Sequence, residues 1–293
     1  MIRTIVALIV SLMTLSGCSP LSSRPIPLKA ATILPHTSPP EPAAATRIPT
    51  SIEIPSSTPT IDPATFFKVS SPLEDIQLNE LSSIISTPFD QKGLELDDGH
   101  HGTDFAYWTR GTHTTMSGLP IHAVLDGRVA GVINDIWPYG NLIIIETAID
   151  SLPVELWSQL SPPVQQTPYP INPRMESCAG WKDRSWSIPT KSLYLLYGHM
   201  LEASPLKVGA IVNSGEPIGL VGTSGMSVNA HLHLEMRWGP GGTEFASMNY
   251  YNTAATQQEM DNYCEWRISG KYVLLDPMVF INDWLRLSSI ITN

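Results

Sequence analysis

His231-Leu232-His233-Leu234-Glu235-Met236, entered through Ala230, is the stretch on which the reading of this chain turns. Successive side chains of an extended strand point to opposite faces, so His231, His233 and Glu235 share one face while Leu232 and Leu234 enter a core on the other. An apolar strand that places two histidines on one face is unusual, although a His-x-His pair alone is as often packing as chemistry. Upstream, Gly99-His100-His101-Gly102-Thr103-Asp104-Phe105, read as one extended strand, puts His100 and Asp104 on a common face. Gly102 between them has no side chain to obstruct an ion, and His101 and Thr103 point away. Two imidazoles and one carboxylate leave a fourth position open to water, which is the pattern of catalytic rather than structural zinc. His199 follows the apolar run Leu193–Tyr197 and is placed to face the same groove.

Around these segments, short apolar or alternating runs are punctuated by glycine and asparagine: Ile121 to Val124, Val129 to Ile133, Leu142 to Glu146, Leu193 to Tyr197, Ile218 to Val221 and His231 to Met236. They read as strands with no comparable helical stretch between most of them, so the fold class is mainly β, a sandwich or a partly open barrel. Leu73, Ile76, Leu81, Ile84 and Ile85 are spaced as one helical face and predict a short N-terminal helix ending before Pro88. Two long insertions interrupt the strand spacing, at 150–190 with Trp157, Trp181 and Trp186, and at 239–270 with three tyrosines.

The 293 residues carry 17 basic and 27 acidic side chains, a net charge of -10, so the electrostatic footprint of a nucleic-acid-binding protein is missing and DNA and RNA are excluded as expected partners. Residues 1–17 read as a signal peptide: Arg3 is followed by an apolar stretch from Ile5 to Met13, too short to span a bilayer. Leu15-Ser16-Gly17-Cys18 resembles the lipobox of bacterial lipoproteins, which predicts cleavage before Cys18, a lipid on that cysteine and an extracytoplasmic, membrane-anchored location. Residues 18–65 are rich in Pro, Ser and Thr and cannot bury enough apolar surface to fold, so they form a linker, and 66–293 form the remaining domain, expected to be monomeric. With Cys18 committed to lipid, Cys178 and Cys264 are left, one in each insertion. They are either buried free thiols or a disulfide joining the two insertions beside the groove.

Together the motifs resemble the lysostaphin-type (LytM-like) zinc peptidases of bacterial cell walls. In order they are His100 to Asp104, Tyr139-Gly140-Asn141, Tyr197-Gly198-His199, Gly219-Leu220-Val221-Gly222-Thr223-Ser224-Gly225 and His231-Leu232-His233-Leu234-Glu235. The resemblance runs from about residue 90 to 282 outside the two insertions. It implies antiparallel sheets flanking a groove, one zinc per chain held by His100, Asp104 and His233, and catalytic roles for His199 and His231 on water and substrate. The function it implies is an endopeptidase cutting peptide cross-links of peptidoglycan. The alternative is a catalytically silent LytM-like domain that binds and activates a wall amidase, but silent members lack some zinc ligands and all five positions are filled here.

Other polar residues carry blander expectations. His113 lies in a polar turn and His122 on an apolar strand as a satisfied structural histidine. Asp97 and Asp98, just before His100, read as a solvated acidic turn ahead of a role orienting that residue from behind, Asn141 as a turn former ahead of a donor to substrate, and the tryptophans as anchors for a long loop rather than a glycan platform.

Overall fold

The computed structural model describes residues 67–91, 97–158, 160, 178 and 191–291. The signal at 1–17, Cys18, the linker at 18–65 and most of the 150–190 insertion, including Trp181 and Trp186, lie outside them. The chain divides into two units, Met1–Ser57 and Thr58–Asn293, and all described residues belong to the second.

That unit is mainly β. Its strands are β1 (Ile85–Thr87), β2 (Asp90–Gln91), β3 (Gly99–His100), β4 (Thr103–Phe105), β5 (Pro120–His122), β6 (Gly127–Ile136), β7 (Gly140–Ala148), β8 (Lys191–Met200), β9 (Ile211–Val212), β10 (Pro217–Leu220), β11 (Leu232–Pro240) and β12 (Val273–Leu275). One antiparallel sheet runs β1-β4-β11-β8-β7-β6-β9, with β12 also paired to β11, and β10-β5 and β2-β3 form two small sheets. Where the sequence left sandwich and barrel open, the structure has one broad sheet with small sheets beside it.

Period-two alternation sorts the central strands onto two faces. Ile143, Ile145, Leu193, Leu195, Tyr197, Leu232 and Leu234 enter the larger core, while Leu142, Ile144, Tyr194 and Leu196 enter a second core on the opposite face. Strands buried on both faces read as continuous apolar runs, which is why β7 and β8 are so plain in the sequence. On β11 the second face carries His233, Glu235 and Arg237, all buried.

The larger core is closed by the N-terminal segment and by helices α1 (Val154–Trp157) and α3 (Pro277–Ile291). Trp157 packs there, in its expected anchoring role. The expected N-terminal helix is only a 3-10 turn over Leu78–Ile84, and Ile85 belongs to β1. Leu73 and Ile76 are buried as expected, but Asp75 with φ 59° is left-handed and Leu73 makes an isolated bridge to Ile121, so helical spacing there reflects burial without a helix.

The second core is closed by the 239–270 insertion. After β11 it supplies Phe245, Met248 and Tyr250, then helix α2 (Gln257–Ile268) with Tyr263, Cys264 and Trp266. A disulfide joins Cys178 to Cys264, so of the two states left open by the sequence the bridge is the one found, and both cysteines are buried in this core. Cys178 N–H also donates to the Tyr250 hydroxyl at 3.0 Å.

Candidate metal centre

Sheet register brings the expected ligands together. Asp104 on β4 is the direct cross-strand partner of His233 on β11, and Gly198 on β8 is its partner across the other edge. His100 reaches the same point from a different piece of chain: 99–105 is not one strand but β3 and β4, interrupted at His101-Gly102. The interruption has a steric cause. A Cβ on Gly102 would sit 2.7 Å from His233 Cε1 and 2.7 Å from the Leu234 carbonyl, so the chain crosses β11 at a distance only glycine permits.

His100 Nε2 lies 3.0 Å from Asp104 Oδ1 and 3.1 Å from His233 Nδ1, and His233 Nδ1 lies 2.8 Å from Asp104 Oδ1. These three atoms form a compact donor set of a kind that holds a divalent cation. The opposite nitrogens are occupied. His100 Nδ1 is 3.0 Å from the Pro88 carbonyl, to which only an N–H can donate, so Nε2 keeps the lone pair. His233 Nε2 donates to Glu235 Oε1 at 3.2 Å, which leaves Nδ1 as its ligating atom. The donor chemistry and the fixed ring orientations fit a metal ion.

Two more imidazoles flank the trio. His199, at φ 57° near the irregular end of the β7–β8 ladder, turns its ring to 4.7 Å from that of His231 and 5.6 Å from that of His233. Its Nδ1 donates to the Ser224 carbonyl at 2.8 Å, and His231 Nδ1 donates to the Asn229 carbonyl at 2.9 Å. Each therefore presents Nε2 with a lone pair, and His231 Nε2 is 3.6 Å from Asp104 Oδ1. All five expected site residues are thus brought together.

Electrostatics follow from this packing. Burial opposes ionisation of Asp104, but close contact with the His100 and His233 imidazoles, which carry the protons at these nitrogens when no cation is held, keeps its carboxyl far below the ordinary carboxylate range. Burial also disfavours charge on His233, yet Asp104 and Glu235 raise it to about 9. Burial, reinforced by the neighbouring His233 and His231, lowers His199 to about 3, so this ring is neutral at ordinary pH. Glu235 is fully buried, and Arg237, His233 and Arg267 outweigh its desolvation and keep it ionised.

Behind the candidate ligands lies a layer that the sequence reading anticipated only in placing Glu235 on the His233 face and in weighing Asp97 as a residue behind His100. Glu235 accepts from the Tyr139 hydroxyl at 2.6 Å, Arg237 Nε at 3.0 Å, Trp266 Nε1 at 3.0 Å and Arg267 Nη1 at 3.3 Å, besides His233. Asp97, expected as a solvated turn, instead has a buried carboxylate held by Arg267 and by the hydroxyls of Tyr251 at 2.7 Å and Tyr263 at 2.9 Å. That correction stems from α2, which sequence inspection did not place against residue 97. Asp98 accepts from the Gly99 N–H. His101 turns away from the trio as expected and meets Arg237 Nη2 at 3.1 Å. Asn141 is structural, its side chain accepting from Asp135 N–H and donating to the Met200 carbonyl. His122 sits between the Gly215 carbonyl and Glu74, and His113 lies in an exposed turn with Arg110, both as expected.

The site opens into a groove of about 970 Å³, walled by Trp137 and Met226 and, from the insertion, Tyr250 and Tyr251.

A family model described as peptidase family M23 matches residues 188–246, a segment that contains His199, His231 and His233 but neither His100 nor Asp104. The lysostaphin-type resemblance read from the motifs agrees with it. No curated protein matches the chain. Among solved structures, the catalytic domain of the antimicrobial peptidase lysostaphin from Staphylococcus simulans aligns at 18% identity over 70% of this chain and 98% of that one, with a TM-score of 0.35. A mutant catalytic domain of the prophage-encoded M23 protein EnpA from Enterococcus faecalis aligns at 22% identity over 59% and 91%, with a TM-score of 0.32. A zinc-containing peptidase from Vibrio cholerae aligns at 20% identity over 58% of this chain, with a TM-score of 0.32, and there the chain spans only 36% of the other protein's length.

Proposed function

We propose, taking the M23 match at residues 188–246 as the premise, that this chain is a zinc-dependent endopeptidase acting on peptide cross-links of bacterial peptidoglycan. The observation that carries the reading is the convergence of His100 Nε2, Asp104 Oδ1 and His233 Nδ1 beside two further imidazoles in one groove. Zinc bound there supplies Lewis acidity toward a peptide carbonyl and toward water.

The remaining work falls to the chain. His199, neutral and anchored through Nδ1 to Ser224, accepts a hydrogen bond from the attacking water and orients it. His231, anchored through Nδ1 to Asn229, takes the water proton at Nε2, hydrogen-bonds the developing oxyanion in its protonated form and passes the proton to the leaving amine. Glu235 does not take the base role, because it is buried behind His233 and fully engaged. The tyrosine wall contributed by the insertion restricts which peptides enter. A lipid on Cys18 and the 18–65 linker would hold the domain at a membrane on the extracytoplasmic side, within reach of the wall.

Incubation of the protein with purified cell walls, with and without a chelator, followed by mass analysis of released fragments tests the reading. New amino termini that appear only in the metal-loaded sample are the expected result. Intact walls in the presence of stoichiometrically bound zinc would defeat the endopeptidase reading and favour a silent domain that activates an amidase.

A further inference from the structure

Helix α2 belongs to an insertion, yet its last turn faces the layer behind the metal ligands. Trp266 and Arg267 are adjacent in the sequence, and both donate to Glu235, one to each carboxylate oxygen. Arg267 does more. Its Nε meets Asp97 Oδ1, its Nη2 donates to the Asp97 carbonyl at 3.4 Å, and its Nη1 donates both to the Tyr139 hydroxyl at 3.2 Å and to Glu235 Oε1 at 3.3 Å. Asp97 stands two residues before β3, which carries His100, and Glu235 stands two residues after His233 on β11. One guanidinium therefore joins the two chain segments that carry the histidine ligands.

We infer that Arg267, supported by Trp266, is a positioning residue for the metal centre, fixing the separation of the His100 and His233 segments and the orientation of the His233 ring through Glu235. The inference rests on the proposed metal site and adds that the insertion completes that site as well as narrowing the groove. The geometry explains why an arginine is used: its planar fork addresses Asp97 and Glu235 at once, which a lysine ammonium cannot match. It also gives the disulfide a second role. Cys264 lies one turn before Arg267 on α2, so the bridge to Cys178 anchors the helix that presents the guanidinium.

Outer partners of metal-bound histidines change metal affinity by about 10–100-fold when removed, and that is the readout. Full-length Trp266→Phe, Arg267→Lys and the pair Cys178→Ser with Cys264→Ser are compared with wild type for zinc affinity by chelator competition, for the absorption spectrum of the cobalt form, and for Tm of the metal-free protein. Gln258→Ala, on the exposed side of the same helix, is the control. Trp266→Phe and Arg267→Lys are expected to weaken zinc binding by about tenfold or more and to shift the cobalt bands, with a smaller loss for the cysteine pair and none for Gln258→Ala. Trp266→Phe keeps an aromatic ring in the core while it removes the indole N–H donor and part of the indole volume, so it decides the matter if Arg267→Lys does not fold and the melt of the metal-free protein shows Trp266→Phe folded. Folded Trp266→Phe and Arg267→Lys with zinc affinity within roughly twofold of wild type and an unchanged cobalt spectrum would overturn the inference. If affinity falls as expected while walls stay undigested, only the endopeptidase reading fails. A wild-type chain that takes up no zinc defeats both.

Discussion

His233 stands in a strand hydrogen-bonded along both edges, by β4 and β12 on one side and β8 on the other, whereas His100 stands in a two-residue strand paired only with β2. The first ligand inherits its position from a ladder of backbone hydrogen bonds and from Asp104 directly opposite. The second is held through side chains, by Pro88 accepting from its ring and by the Asp97–Arg267 contact just upstream. A metal centre can therefore be half prescribed by sheet register and half by a tertiary network, and the two halves should respond differently to perturbation. The family match falls on the ladder half alone.

The largest effect expected is at the ladder. His233→Ala should abolish zinc retention after dialysis and reduce wall digestion to background, because it removes a ligand and exposes Glu235 to an empty space. His231→Ala, two residues away on the same strand, should keep zinc and lose about 10²–10⁴-fold in turnover. Metal analysis beside initial rates separates them, and zinc loss from His231→Ala with zinc retention in His233→Ala would reverse the two roles.

A smaller effect tests the contact between the halves. Gly102→Ala forces a Cβ against the His233 ring and the Leu234 carbonyl, which should cost about 1–3 kcal/mol of stability as overpacking does. It should also weaken zinc binding in whatever fraction stays folded. Thermal melts with and without zinc measure both. A variant as stable as wild type would show that the crossing at 101–102 is looser than described.

The smallest effect sharpens the contrast with a carboxylate remote from the proposed metal site. Burial raises Glu146, but the Gly242 N–H, Arg128 and Ser192 outweigh it and lower its pKa overall. A group depressed on folding contributes stability above its unfolded pKa, and that contribution is lost as pH falls through the folded value. Glu146→Gln should therefore flatten the acid limb of the stability curve below about pH 4.5 and leave zinc affinity at neutral pH unchanged. Denaturant melts across pH read the first, and chelator competition the second.

Much of this arrangement was legible in the sequence, for identifiable reasons. β7, β8 and β11 are plain because short apolar or alternating runs of strand length, rich in β-branched and aromatic residues and bounded by glycine and other turn formers, read as strands. Four of the five candidate site residues, Asp104, His199, His231 and His233, were legible because each sits on or beside such a strand, whereas His100 was found through its spacing from Asp104. Helix α2 was missed although Thr256-Gln257-Gln258-Glu259 carries a capping box, with the Thr256 hydroxyl accepting from the Glu259 N–H and Glu259 accepting from the Thr256 N–H. Helix α3 was missed although Pro277 opens it and Asp276 accepts from the Met278 N–H. The Asp97–Arg267 contact had no local signal of any kind. It joins residues 170 apart, and neither side chain's neighbours in the sequence reveal the other.

The layer beneath the ligands has a consequence for what a substrate feels. Asp97 and Glu235 each carry one negative charge, Arg237 and Arg267 each one positive, and the four are packed together with almost no exposure to solvent. They cancel, so the layer behind the candidate ligands is close to electrically neutral in itself despite holding four ions. Salt in the medium screens exposed charges over about 10 Å at 0.1 M, and here it finds little to screen. A peptide entering the proposed site would therefore meet the charge of Asp104 and of whatever cation the candidate ligands hold, with little added by the layer behind them.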